Sequence, residues 1–228
     1  MFLEFVRVMR RSHRLIGANG KTPLINLEEA QMKTKLLLSS IIFLSIAGAF
    51  AQTTFKKYDI KSGIVTFETN MKMGSMEMKT KSVVYFDDYG MKECKETYFN
   101  DKVATSYFSD GKNLYLVDHK NRTVTNRGTA YRGTELRVEW TEFGTQKDRD
   151  EGKIKKAPGM KVAGKVCEVF VSDDGKGGVT RYAGWNKILL YLDVQSSSMR
   201  TTMQAQKVEE NAKVPPEKFV LPAGYKMQ

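Results

Sequence analysis

The chain has 228 residues, with 37 Lys or Arg against 26 Asp or Glu and a formal net charge of +11. A balance of this kind is typical of a soluble protein with a mild attraction to anionic surfaces. The basic residues are not concentrated in one segment, and no recognised nucleic-acid-binding motif is present. We therefore expect no nucleic-acid partner.

The first predicted element is a secretory signal peptide at residues 32–51. A short basic start carries two lysines, an apolar stretch follows, and Ala49-Phe50-Ala51 supplies the small residues that signal peptidase requires. The apolar stretch is too short for a comfortable membrane span. We predict cleavage between Ala51 and Gln52 and a periplasmic product.

We expect the segments before and after this signal to differ in whether they fold. Residues 1–31 precede a complete signal that begins with its own Met32, which indicates a start codon assigned too early or a disordered extension. Residues 52–228 are expected to form a single domain that buries about 70% of its unfolded surface.

Two cysteines, Cys94 and Cys167, follow the signal. In an oxidising compartment such a pair is able to form a disulfide, but Cys is also a common buried residue in its own right. Both alternatives stay open at this point. The two are distant and neither belongs to a C-x-x-C motif, so we expect no metal site or redox motif.

From Tyr58 onward, short alternating runs separated by turn residues predict an antiparallel meander of about ten strands. The predicted strands cover residues 60–73, 76–86, 91–99, 102–108, 113–118, 122–126, 162–172, 179–185, 189–194 and 198–208. The proline-containing end of the chain predicts a turn and a last short extended piece.

Two segments interrupt the meander. Residues 129–145 place Leu136, Trp140 and Phe143 on one helical face and predict a short helix, although Leu136, Val138 and Trp140 also alternate as in a strand. Residues 144–166 are basic and contain a Pro-Gly pair, which predicts a solvated loop.

The hairpin around "NMKMGSMEMK" is the most informative stretch. Gly74-Ser75 is a natural two-residue loop and sets a register in which each methionine lies opposite another, Met73 opposite Met76 and Met71 opposite Met78. The same side then carries the pairs Thr69–Thr80, Phe67–Ser82 and Val65–Val84, and the other side carries Lys72–Glu77, Asn70–Lys79 and Glu68–Lys81.

Three roles are open for these methionines. They fill the core, they line a surface for an apolar cargo, or their soft sulfurs bind Cu(I). Directly paired rungs form a flat strip more readily than a tetrahedral cage, and neither His119 nor Cys94 belongs to this hairpin. We therefore expect a core or cargo-lining face, with no metal and no cofactor.

Catalytic residues are not predicted. His119 is the one histidine after the signal and lies in the polar turn "VDHKNRT", where a surface histidine is the default. Carboxylates such as Asp87 and Asp173 cluster in turns, where Asp is favoured for backbone reasons. We expect a monomer that is not an enzyme.

Several segments resemble a known family when taken in order: "YDIKSGIVTFET", "SDGKNLYLVDHKNRTVTN", "VAGKVCEVFVSD", "YAGWNKILLYLD" and "VPPEKFVLPAGYKM". The sequence resembles secreted bacterial proteins related to the outer-membrane lipoprotein-sorting proteins, the LolA/LolB-like fold. The resemblance implies a mainly β, curved and unclosed antiparallel barrel with one or two short helical insertions over its concave mouth, which in the lipoprotein carrier is a slot for acyl chains.

This resemblance also implies positions for a ligand site. Leu136, Trp140 and Phe143 would lie on a lid, and Met71, Met73, Met76 and Met78 would line the slot. The chain departs from the carrier because only AQTTFKK precedes its first strand, without an amphipathic helix, and because the carrier's lid-controlling arginine has no counterpart that can be placed here.

The expected function is binding or carrying of an acyl chain or another apolar ligand in the periplasm, with a basic flank that approaches anionic head groups at the membrane surface. The alternatives are an envelope interaction or stress-sensing protein without a small ligand, and a Cu(I)-binding protein.

Overall fold

The computed structural model describes residues 55–129 and 136–228. These residues form one sheet of twelve strands: β1 (Gly63–Met73), β2 (Met76–Asp87), β3 (Lys92–Phe99), β4 (Lys102–Ser109), β5 (Asn113–Asp118), β6 (Thr123–Thr129), β7 (Ile154–Val162), β8 (Lys165–Asp173), β9 (Val179–Trp185), β10 (Ile188–Gln195), β11 (Met199–Glu210) and β12 (Lys226–Met227). Helix α1 (Gln146–Asp150) and short 3-10 turns at Asp88–Gly90, Trp140–Glu142 and Pro216–Phe219 complete the described elements. The predicted signal peptide and the segment before it lie outside the described residues.

The sheet is open, with strand order β12-β6-β5-β4-β3-β2-β1-β11-β10-β9-β8-β7. All neighbours are antiparallel except β12, which runs parallel to β6. Bulges interrupt the pairs β1–β11, β3–β4, β5–β6, β7–β8 and β9–β10, and bulges of this kind increase the local twist of a sheet. The edge strand β7 contacts β11, and Lys165 at the start of β8 forms an ion pair with Glu210 of β11. The predicted mainly β, unclosed antiparallel fold is confirmed.

The basic segment 144–166 is not a loop, contrary to the prediction. It contains α1, capped by Thr145 and Asp148, and β7, whose residue Met160 pairs with Cys167 of β8. Ile154 and Val162 at the ends of β7 are buried. Burial of these two side chains and pairing with β8 outweigh the local charge, which lies on the exposed positions between them.

The predicted helix over residues 129–145 is also wrong where the structure describes the segment. The Leu136 carbonyl accepts a hydrogen bond from the Leu189 N–H at 2.7 Å, and the Val138 N–H donates to the Lys187 carbonyl at 2.9 Å. Residues 136–138 thus extend beside the start of β10, and a 3-10 turn follows at Trp140–Glu142. The alternation of Leu136 and Val138 prevails because an extended backbone can pair with β10.

Among the described residues, two hydrophobic clusters lie on opposite faces of the sheet. The larger covers the face that carries Val65 and Phe67, here called the inner face, and includes Tyr58, Leu136 and Val138. The smaller lies on the outer face, and its buried members are Cys94, Phe108, Val117, Val124 and Phe219. Phe219 belongs to the C-terminal segment 211–228, which therefore covers the part of the outer face that carries the smaller cluster. Within residues 55–129 and 136–228, the helices lack the length and hydrophobicity of a membrane-spanning segment.

Candidate functional site

The β1–β2 hairpin has the register that the sequence predicts. Met73 pairs with Met76, and Met71 pairs with Met78, on either side of the Gly74-Ser75 loop. Strand β11 adds a neighbour that the sequence alone did not place, because Met199 pairs with Met73. The methionine patch, as we call it, consists of Met71, Met73, Met76, Met78 and Met199.

Exposure rises along the inner face toward the tip of this hairpin. Val65 and Phe67 are buried, Met71 is half-buried, and Met73 is 52% exposed. Met76 and Met78, on β2, are 64% and 52% exposed. The core-filling interpretation is therefore wrong for Met73, Met76 and Met78, since the tip extends beyond the large cluster. These side chains form an accessible apolar surface on the inner face, separated from the core residue Phe67 by the Thr69–Thr80 rung.

The outer side of the same hairpin is polar, as predicted. The Lys72 Nζ lies 3.7 Å from a Glu77 carboxylate oxygen, and the Asn70 side-chain N–H donates to Glu77 at 3.0 Å. The hydrogen bond from Asn70 and the charge of Lys72 lower the pKa of Glu77. Exposed pairs of this type contribute little stability, so their main effect is to keep one side of the tip wet while the other is apolar.

The predicted lid residues lie on the inner face but apart from the patch. Leu136 is buried, the Trp140 ring centroid lies 5.3 Å from that of Phe170, and the Phe143 ring contacts Tyr182 at 4.4 Å. These partners belong to β8 and β9, whereas the patch belongs to β1, β2 and β11. The structure thus places the predicted ligand-binding residues in two groups that share one face.

The covering segment 136–143 is in tight contact with the sheet. A Cβ atom added at Gly184 would come within 2.1 Å of a Val138 methyl group. The far end of the segment is fixed by Arg149, whose guanidinium donates to the Phe143 carbonyl at 2.5 Å. A small residue on β9 is therefore what lets this segment pack closely.

Sequence reasoning missed a buried ion pair at the start of the described chain. Glu93 on β3 is 1% exposed; the Lys57 Nζ lies 2.5 Å from its Oε2, and the Tyr58 hydroxyl donates to the same oxygen at 2.8 Å. Burial raises the pKa of the Glu93 carboxyl, against the lowering effects of Lys57 and Tyr58. The strand "KECKETYF" gives no signal that separates Glu93 from a surface glutamate.

His119 lies under the C-terminal segment. Its Nε2 is 2.7 Å from the Ser106 hydroxyl oxygen, and its Nδ1 is 3.0 Å from the Tyr225 hydroxyl oxygen. Burial lowers the pKa of His119, and Glu96 partly opposes that effect. Ser106 is buried, so this histidine connects two strands of the sheet to the end of the chain.

The two cysteines are free thiols and do not form the disulfide that the sequence left open. Cys94 belongs to the outer-face cluster and Cys167 to the large cluster, so the thiols lie in different parts of the core. Burial raises the pKa of the Cys94 thiol to about 12 and also raises that of Cys167. Protonated, buried thiols of this kind are unreactive.

In the described part of the chain, the side chains that most often bind metal ions, His, Cys, Asp and Glu, are not clustered. Within those residues, no cluster of three or more His, Cys, Asp or Glu could hold a metal ion. The thioethers of the methionine patch are soft, polarizable and conformationally adaptable. The chemistry that this surface offers is contact with apolar or soft groups.

No protein-family model matches the sequence, and no curated protein matches it either. Solved structures are similar in fold. An uncharacterised conserved protein from Thermus thermophilus shares 4% identity at a TM-score of 0.48, covering 74% of this chain and 90% of that one. A LolA superfamily protein from Nitrosomonas europaea shares 9% identity at a TM-score of 0.36, covering 72% and 94%.

The MucA/MucB complex of Pseudomonas aeruginosa is a third similar structure, with 9% identity, a TM-score of 0.43, and coverage of 72% of this chain and 57% of that one. The match thus spans less than two thirds of the length of that protein chain. LolA superfamily and lipoprotein-sorting structures are among the matches. The likeness concerns the fold, and no ligand, partner or activity is carried over from it.

Proposed function

We propose that this chain is a non-catalytic protein of the periplasm that binds an acyl chain or another apolar ligand on the methionine patch. The observation that supports this most directly is the accessible row of thioethers on the inner face, which begins one rung, Thr69–Thr80, beyond the core residue Phe67. Contiguous exposed apolar surface on a soluble protein commonly marks an interaction site. The signal-peptide pattern at residues 32–51 supports export.

The energetics favour a ligand that covers several methionines together. Complete burial of a Met side chain stabilises by about 1.5–3 kcal/mol, so covering a half-exposed one contributes about 1 kcal/mol. Met73, Met76 and Met78 together would supply roughly 3 kcal/mol by the same scaling. Flexible unbranched side chains adapt to different chain shapes, which suits a lipid class better than one defined molecule.

Leu136, Trp140 and Phe143 form the second part of the proposed site. They lie over the inner face at β8 and β9, with Trp140 and Phe143 on Phe170 and Tyr182. Outward movement of segment 136–143 would expose these rings and extend the apolar surface beyond the patch. Segments that move during binding are drawn from the less stable parts of a fold.

Titration of a fluorescent fatty-acid probe tests the proposal. The double variant Met71→Lys/Met76→Lys is expected to bind the probe at least tenfold more weakly than wild type, because two ammonium groups would lie in the path of the ligand. Met227→Lys is the matched control, since Met227 is 56% exposed on β12, away from the patch. Circular dichroism checks that both variants fold.

Native mass spectrometry of protein purified from its own periplasm separates the alternatives. Co-purified lipid supports the proposal, and equal probe affinity of wild type and the patch variant contradicts it. Bound copper would instead favour a Cu(I) role for the five thioethers, since Met199 brings a third strand to the sulfur cluster. Protein without lipid or copper that also fails to bind the probe would favour an envelope-interaction role.

A further inference from the structure

A groove of about 550 Å³ lies beside segment 136–143, at the end of the sheet away from the methionine patch. It runs along β8 and the β9–β10 turn, and its lining includes Trp140, Trp185 and Lys187. The chain contains two tryptophans, so both of them face this groove. A volume of this size is typical of sites for small ligands.

The groove has an apolar floor and one exposed apolar wall. Phe170 and Val138 are buried beneath it. Val166 on β8 is 72% exposed and belongs to the groove lining. Together with the two indoles, these residues form the apolar part of the groove lining.

The charged groups of the rim are paired with each other. Lys156 lies 3.3 Å from Glu168, and Lys187 lies 3.1 Å from Asp59 and 3.8 Å from Glu139. An ionic ligand would have to break these pairs. A neutral ligand with many hydroxyl groups would instead receive and donate hydrogen bonds at the same carboxylates and ammonium groups while they stay compensated.

The indole faces attract positively polarised groups. The Lys165 Nζ lies 4.7 Å from the centroid of Trp185, and the Lys156 Nζ lies 5.6 Å from that of Trp140. The negative face of an aromatic ring is the cause of such contacts. The C–H bonds on one face of a pyranose ring are polarised in the same sense, and its hydroxyl groups point sideways toward a polar rim.

We infer that this groove binds a neutral oligosaccharide, with sugar rings against Trp140 and Trp185 and hydroxyl groups on the Lys156–Glu168 pair and around Lys187. An extended peptide fits less well, because the adjacent edge strand β7 carries Pro158 and several lysines, which oppose strand addition. The groove shares Trp140 with the second part of the proposed apolar-ligand site but contains none of the five methionines of the patch, so the Met71→Lys/Met76→Lys variant should bind sugar as wild type does.

Intrinsic tryptophan fluorescence of the full chain is the direct test, because all indole emission arises in the groove. The probes are N-acetylglucosamine trimer and glucose trimer. At least one is expected to change the emission in a saturable way at micromolar to millimolar concentration. Val166→Lys, which inserts a long charged side chain at an exposed position, is expected to weaken that binding at least tenfold.

Two further variants make the result decisive. Val179→Lys is the matched control, because Val179 is an exposed valine at the opposite end of β9, and its affinity should equal that of wild type. Trp185→Phe, followed by calorimetry, should weaken binding several-fold even if Val166→Lys folds poorly. Absence of binding of both sugars up to 10 mM, estimated as roughly the weakest useful affinity, or equal affinity of Val166→Lys and wild type, would overturn the inference.

Discussion

The carboxyl group of Glu93 illustrates how a single residue takes its role from its surroundings. It lies in the core with Lys57 at 2.5 Å and the Tyr58 hydroxyl at 2.8 Å, and its Oε1 has no hydrogen-bond partner in the described structure. Desolvation of two buried charges offsets much of their attraction. The main effect of the pair is therefore to hold the segment before β1 against β3, and its net contribution to the free energy of unfolding is small.

Removal of one partner of this pair is expected to be costly. Lys57→Met should lower the free energy of unfolding by about 3–5 kcal/mol at neutral pH, because it leaves a buried carboxylate uncompensated. Burial raises the pKa of Glu93, so the neutral acid becomes accessible as the pH falls, and the loss should shrink toward pH 5. Urea unfolding at pH 7.5 and pH 5 measures both effects.

The double variant Lys57→Met/Glu93→Leu supplies the control. It removes both charges and should recover part of the stability that Lys57→Met loses, since an apolar pair avoids the unpaired carboxylate. Equal stability of the single and double variants at pH 7.5 would show that Glu93 is not charged in the folded protein.

At the scale of elements, the covering segment 136–143 depends on one glycine. Gly184→Ala places a methyl group in contact with Val138, where 2.1 Å separates the added Cβ from a side-chain carbon. Overpacking of this kind typically costs about 1–3 kcal/mol. We expect that loss in the free energy of unfolding, together with an altered tryptophan emission, because Trp140 belongs to the same segment.

A compensating change distinguishes this clash from a general effect on β9. Val138→Ala/Gly184→Ala restores the space, so its destabilisation should be smaller than the sum of the two single variants. Strict additivity would contradict direct packing of Val138 on Gly184. Urea midpoints of the three variants and wild type complete the cycle.

At the scale of the whole molecule, the C-terminal segment joins distant parts of the chain. Phe219 packs on the outer face, Lys218 lies 2.5 Å from Glu96 of β3, and Tyr225 contacts His119. Strand β12 then pairs with β6 at the edge of the sheet. One segment thus covers part of the outer face, as segment 136–143 covers part of the inner face.

This closure is expected to weaken as the pH falls. Burial lowers the pKa of His119 below 6.5, so the unfolded chain binds the proton more tightly than the folded protein does. The stability that comes from neutral His119 is fully present above the pKa of an unfolded histidine, about 6.5, and is lost as the pH falls from there through the lower pKa of His119 in the folded protein. The charged groups around the ring are Glu96, Asp118 and Lys218.

Replacement of the ring tests this expectation. His119→Gln should lower the free energy of unfolding by about 1 kcal/mol at pH 7.5 through its lost hydrogen bonds. It should also lose less stability than wild type between pH 7.5 and pH 5.5. Parallel slopes for the two proteins in urea titrations would contradict a buried neutral His119. His13 is present in both proteins and cancels.

The sequence by itself determined the features that depend on local geometry. Strand alternation and turn residues predicted most of the meander, and a two-residue loop at Gly74-Ser75 allowed the pairing of Met73 with Met76 to be derived directly. A two-residue loop fixes the register of the hairpin, and in that register the apolar side chains of both strands lie on the same face. The alternation of side chains along a strand depends only on neighbouring residues, so it can be recognised in the sequence before the fold is known.

The tertiary structure decided which of these faces is covered, because burial depends on distant segments. Met76 is exposed because the tip of the β1–β2 hairpin extends beyond the large hydrophobic cluster. Glu93 is buried because Lys57 and Tyr58, from the segment before β1, bind its carboxylate. Residues 136–138 are extended because β10 offers backbone partners. Local sequence patterns carry no information about such distant partners. The groove lined by Trp140 and Trp185 and the exposure of the methionine patch could therefore be recognised only in the folded structure.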